Sequence, residues 1–119
     1  MTTADLSYYD GVPVLVCAPD GPQLSDGGDA LGLVAEALEH DAATVAVPVE
    51  RFAAEFFALS TGRAGEFLQK FANYRLRLVI VGDVSRYTEQ SSAVGDFVRE
   101  ANRGTQITFV SRLEDLRAP

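Results

Sequence analysis

Apolar residues in this chain follow two patterns, short β-branched runs and repeats at three and four residues, and their alternation predicts strands interleaved with helices. Leu6 to Tyr9 and Val12 to Ala18 are runs of the first kind. They flank Asp10-Gly11, a dipeptide that tolerates the positive φ of a two-residue hairpin turn, so a short edge strand feeds a longer one. Pro19-Asp20-Gly21-Pro22 then breaks the chain. Leu31, Val34 and Leu38 recur at helical spacing with Ala30 beside them, and Asp29, Glu36 and Glu39 fall on the other side. Asp26 or Ser25 is placed to cap that helix. Thr44 to Val47 is apolar on both faces, as a strand covered by helices on each side would be, and Pro48 closes it.

Val49, Phe52, Phe56 and Leu59 repeat at three and four residues, predicting a short aromatic helix over 49–59 that Ser60-Thr61-Gly62 interrupts. Ala64, Phe67, Leu68 and Phe71 form the clearest helical stripe. Leu76 to Val81 reads as a strand ended by Gly82-Asp83. Val94, Phe97, Val98 and Ala101 mark another helix, with Gly104 as a stop in the left-handed conformation. Ile107 to Val110 gives the last strand, and Ser111 with Glu114 has the spacing of a capping box opening a final helical turn. Strands alternating with helices imply parallel pairing and right-handed crossovers. The expected fold is α/β, a small sandwich whose mixed, mostly parallel sheet of four to five strands carries an antiparallel N-terminal hairpin strand and packed helices.

At 119 residues the chain is one domain, 1–119, with no room for a second core. Seventeen acids against ten bases give a net charge of −7, a field that repels nucleic acid. The imbalance is uneven: residues 1–50 hold nine acids and no Lys or Arg, whereas 51–119 hold ten bases and eight acids. Cys17 is the lone cysteine, so no disulfide forms within the chain, and a cytoplasmic location is expected. No apolar run approaches the ~20 residues that cross a bilayer, and residues 1–10 lack the basic flank and apolar core of an export signal.

Candidate chemistry is sparse. Strand carboxyl ends are the usual ligand crevice of open α/β sheets, and here they carry Pro19-Asp20, Pro48-Glu50, Gly82-Asp83 and Ser111. Asp83, on a glycine-hinged turn, is suited to taking a proton, holding Mg²⁺ or simply capping the next segment. Paired acids such as Asp20 and Asp83 do acid and base work only where they converge. His40 is the one histidine, next to Asp41 in the last turn of an acidic helix, which argues for a solvated cation at a helix end. Zinc motifs, a G-x-S-x-G elbow and phosphate-binding glycine loops are absent from the sequence, and neither metal nor cofactor is expected. Phe52, Phe56, Phe57, Phe67 and Phe71 concentrate five of seven phenylalanines within twenty residues, mostly as core. Adjacent Phe56 and Phe57 point about 100° apart on a helix, so both are buried only if it is covered on two sides; core packing is the favoured reading, and a place in a pocket or an interface for one of them is the alternative.

The stretch from Glu55 through Phe56-Phe57, Ser60-Thr61-Gly62-Arg63, Gly65-Glu66-Phe67, Gln69 and Asn73-Tyr74 to Arg75 resembles the signature of DUF4180, a bacterial family of unknown function. Gly82-Asp83 with Ser85 and Tyr87 continues the likeness, which covers about residues 10–117. That resemblance implies a STAS-like fold, the fold of anti-sigma factor antagonists, in which a serine opening the helix after the second parallel strand is phosphorylated to switch partner binding. Ser60 and Thr61 occupy the matching place, although Leu59 stands where that motif carries Asp. A plain helix N-cap, with Gly62 easing the turn, is the favoured reading of Thr61 over a phosphosite.

Gly65 lies inside the most regular helix at a cost of about 1 kcal/mol, which points to close approach of another backbone there. Arg63, Glu66 and Gln69 lie beside it, and Asn73-Tyr74 ends the helix, so this surface is the expected docking place for a partner. The residues thus favour a non-enzymatic module that binds a protein partner or a second copy. The alternative is a small-molecule binder or enzyme using an aromatic-lined crevice at the strand carboxyl ends, with Asp83, Glu55 and Tyr74 as its polar groups.

Overall fold

β-Branched runs and a turn that needs two positive φ angles set the first hairpin. β1 (Ala4–Tyr9) pairs antiparallel with β2 (Val12–Cys17) through Asp10 and Gly11, at φ 53° and 78°. The structure, a computed structural model, describes residues 4–117. After the hairpin come α1 (Gly27–Glu39), β3 (Thr44–Pro48), α2 (Arg63–Asn73), β4 (Arg77–Val81), the short α3 (Ser85–Thr88), α4 (Ser92–Arg103) and β5 (Ile107–Val110). The five strands form one sheet in the order β1-β2-β3-β4-β5, with β2 to β5 parallel.

Sequential strand order with crossovers of one hand places every helix on the same side. Ala30, Leu33, Val34 and Ala37 of α1, Ala64, Phe67 and Phe71 of α2, and Val94 of α4 pack there on Leu15, Val45, Leu78 and Ile80. Among the described residues the opposite face has no α-helix. Its centre, Val14, Ala46 and Val79, is covered by Leu116 with Leu113 at its side, so residues 113–116 form a strap across it. Arg77 holds the strap's end, donating from Nη1 to the Arg117 carbonyl at 2.8 Å. β3 is therefore apolar on both faces for a different reason than helices on each side.

Asp26 caps α1, its carboxylate accepting from Asp29 N at 3.1 Å, while the Asp29 carboxylate accepts from Ser25 N and Asp26 N at 2.7 and 3.2 Å. The buried stripe of α1 runs through Ala30, Leu33, Val34 and Ala37; Leu31 and Leu38 of the expected stripe are instead 42% and 51% exposed. Leucine, alanine and glycine occur all round this helix, so two stripes share the same spacing. α1 and α2 end alike. Ala42 N donates to Ala37 O and Leu76 N to Phe71 O, both at 2.9 Å, leaving Asp41 and Arg75 left-handed at φ 54° and 56°.

The helix expected over 49–59 is three separate 3-10 turns, Val49–Arg51, Ala54–Phe57 and Leu59–Thr61, because Phe52 and Ala53 between them are extended. Leu24 and Phe52 form a parallel bridge there, with Leu24 N donating to Arg51 O and Ala53 N to Leu24 O, both at 2.8 Å. Gly82, at φ 131°, is required twice over, since a Cβ there would meet Val49 Cγ1 at 2.7 Å. Gly104 ends α4 in an extended conformation (φ −102°, ψ −168°), not a left-handed one. The Ser111–Glu114 capping box does not form: Leu113–Asp115 is a 3-10 turn preceded by Arg112, with no side-chain cap.

Candidate functional site

The carboxyl end of the sheet is closed by a buried cation. Arg51 follows β3 by three residues and is only 3% exposed. Its Nε donates to Pro22 O at 3.0 Å and its Nη1 to Ala18 O at 2.8 Å, so the broken segment after β2 is tied down by carbonyls. A Cβ on Gly21 would lie 2.6 Å from the Arg51 Cζ, which explains a glycine between the two prolines. Cys17, buried at the end of β2, has its thiol pushed up to about 11 by burial; the Arg51 charge opposes that shift and Glu36 adds to it.

Asp83 lies in a shallow recess of about 340 Å³ lined by Gly82, Ser85, Thr88, Asn102 and Ser111 among others. Its Oδ1 accepts from Ser85 N at 2.9 Å, which holds the carboxyl below its usual range and makes it the cap of the α3 turn. No second carboxylate lines that recess, and neither Glu55 nor Tyr74 reaches it. The acid pair that acid–base chemistry needs is thus not brought together there.

The aromatic segment folds into a knot. Phe56 lies 4.5 Å from Phe52 and 5.5 Å from Phe67 between ring centroids, and Phe56 and Phe57 are both buried. Phe57 also stacks on Tyr87 at 4.0 Å and floors a recess of about 250 Å³ with Ala58 and Gln90. Phe56 therefore serves the core, and Phe57 is the member of the pair that lines a pocket. This knot fixes the entry to α2. Gly62, left-handed at φ 79°, occupies the N-cap position expected for Thr61. The Thr61 hydroxyl donates to Ala58 O at 2.8 Å and accepts from Arg63 N at 3.3 Å, whereas Ser60 is exposed with its hydroxyl unengaged.

Of the remaining predicted residues, Gly65, Glu66 and Gln69 share a surface, which Glu55, Asn73 and Tyr74 do not line. Gly65, Glu66, Gln69 and Lys70 of α2 face Gly27, Gly28 and Leu31 of α1 across a groove of about 570 Å³. Arg63 ties its upper end, with Nη1 donating to Ser25 Oγ at 3.1 Å and lying 3.9 Å from the Asp26 carboxylate. Gln69 donates to Asn73 at 2.8 Å, and Tyr74 is 49% exposed. Within the fold Gly65 admits no close backbone: a Cβ there would meet nothing within 4 Å. Gly27 makes the approach instead, since its Cβ would lie 3.1 Å from Lys70 Cε and 3.6 Å from the Glu66 carbonyl. Gly32 is open in the same way; Gly32 and Ala35 are exposed between Leu31 and Leu38, and Gly28 is exposed one turn before them. Leu31 and Leu38 were hidden from sequence reading because they fit the buried stripe; Arg51 was hidden because an arginine beside an acid reads as solvated. Its one signal was position, between Val49 and Phe52 directly after a buried strand.

Among the described residues no group of His, Cys, Asp or Glu is arranged to hold a metal ion, and no helix is long and apolar enough to cross a membrane. No curated protein and no solved structure matches the chain. The profile of one family, a domain of unknown function, does match over residues 9–119, nearly the whole length, and the chain belongs to that family, DUF4180.

Proposed function

We propose that this DUF4180 domain is a cytoplasmic, non-enzymatic, STAS-like interaction module whose outer α1–α2 face receives a basic amphipathic helix from a protein partner. The carrying observation is the stripe of Leu31 and Leu38, 42% and 51% exposed, with exposed Ala35 between them and open Gly32 beside them. Small residues let a partner's backbone approach, and two half-exposed leucines give it apolar area to cover. Charge selects the partner. Glu39, Asp41 and Glu66 make no ion pair around this stripe, against one unpaired base, Lys70. A second copy would bring acid against acid, whereas lysines or arginines flanking an apolar helix stripe complement it. The lone buried thiol and the single helix layer on a sequential sheet are consistent with the cytoplasmic and STAS-like parts of the reading.

The test is an NMR titration with a synthetic amphipathic helix patterned from leucine and lysine, and with a counterpart carrying glutamate in place of lysine. Saturable, salt-sensitive shifts at Leu31, Leu38, Gly65 and Gln69 are expected from the basic peptide only. Leu31→Ser with Leu38→Ser should weaken that binding about tenfold. Equal binding of the acidic peptide, or a stable dimer closed through these leucines, overturns the reading.

A further inference from the structure

The amino end of the sheet holds a cavity that neither the docking face nor the family assignment uses. It measures about 380 Å³, and Val12, Ala43, Ala72 and Leu76 supply its apolar walls. Its polar lining is Thr44, Arg75, Arg77, Thr105 and Gln106, with no carboxylate among the described residues, in a chain whose net charge is −7. Asp10 and Asp41, the acids closest in sequence to lining residues, do not line it.

Register builds the polar row. Thr44 and Arg77 are direct partners across β3 and β4, so their side chains leave the sheet on the same side. Thr44 is 2% exposed, so its hydroxyl is held at the inner edge of the cavity that it lines. Arg77 gives Nη1 to the Arg117 carbonyl and Nη2 to Thr108 Oγ1 at 3.3 Å, while its Nε is buried with no acceptor. Burial also holds the Arg77 pKa below its ordinary value. A buried guanidinium nitrogen left unanswered beside a threonine of the same cavity marks a place where an acceptor is missing. Arg75 adds a free, exposed guanidinium at the rim. It occupies the left-handed position that closes α2, at φ 56°, where glycine is the usual choice and where arginine, unlike Asp41 at the same place in α1, has no short polar side chain to ease the strain.

We propose that this cavity binds a small organic anion, an oxyanion head on a compact apolar body, with Arg75 and Arg77 facing the head and the Thr44 hydroxyl completing its hydrogen bonds. Planar guanidinium groups suit carboxylates and phosphate monoesters alike. The apolar walls require a body beyond the head, so inorganic phosphate alone is a poor occupant.

The experiment titrates the intact chain with benzoate and with phenyl phosphate, using benzylamine as the cationic control and inorganic phosphate as the bodiless one, and follows backbone NMR signals. Saturable shifts at residues 43–44, 75–77 and 105–106 are expected with one or both organic anions, and which of the two binds identifies the head group. Arg75→Ala, a change at an exposed side chain that leaves the core intact, should weaken binding about tenfold or more. Thr44→Val, which removes the hydroxyl at nearly constant volume, should weaken the same binding while leaving the thermal midpoint of the free protein within a few degrees of the native value. Absence of saturable shifts with both organic anions, equal shifts with benzylamine, or unchanged affinity in Arg75→Ala overturns the proposal.

Discussion

Two arginines carry buried guanidinium atoms at opposite ends of this sheet, and the fold answers them differently. Arg51, at the carboxyl end, has its Nε and Nη1 placed on the carbonyls of Pro22 and Ala18. Arg77, at the amino end, has two bonds and a buried Nε with none. Carboxyl ends are where open α/β sheets ordinarily take ligands. Here that end is occupied by the protein's own backbone, and the under-satisfied polarity lies at the other.

Arg51→Ala is the largest expected break. It strips two carbonyls of their donors and leaves a void where the buried Arg51 side chain was, a loss of roughly 3 kcal/mol read as a lower urea midpoint. Gly21→Ala should destabilise less in the native chain, and the two changes together should cost less than their sum, because the clash disappears with the guanidinium. Cys17 reports on the same corner through pH. Its folded thiol value, about 11, stands above the ordinary value of 9.0, so the neutral thiol's contribution is intact below pH 9 and is lost as pH rises through 11. Between those limits the unfolding free energy from urea titrations should fall by about 2–3 kcal/mol more in the native chain than in Cys17→Ala. Arg77→Met sharpens the contrast from the other side. The loss of its two bonds is partly offset by removing the unanswered Nε, so about 1 kcal/mol is expected, with faster amide exchange confined to residues 111–117. Equal losses for Arg51→Ala and Arg77→Met would erase the distinction between the two ends.

How far the chain could be read in advance follows from which residues have one physical solution. Asp10-Gly11 has one, a turn with two positive φ angles, and the hairpin follows. Ala64, Phe67, Leu68 and Phe71 have one, since every other position of α2 is small or polar. Leu31 and Leu33 do not: each completes a stripe with Val34, and only the packing of α1 on the sheet decides which is buried. Phe52 and Phe56 share a spacing that serves a helix and a chain of 3-10 turns alike, so the aromatic knot was legible as core but not as geometry. Of the docking face, Gly65, Glu66 and Gln69 were readable from their helix, whereas Gly27 and Leu31 opposite them required the tertiary contact. Thr44 and Arg77 needed strand register, which no local pattern supplies.

Strand order also governs how such a chain can assemble. Because β1 to β5 lie beside one another in the order in which they occur, no strand has to be threaded between two that are already paired. Each crossover closes a loop onto the most recently completed edge, which keeps the entropy of every step low, so growth from the first hairpin can keep pace with synthesis on a ribosome and leaves one raw edge at a time to be guarded against aggregation.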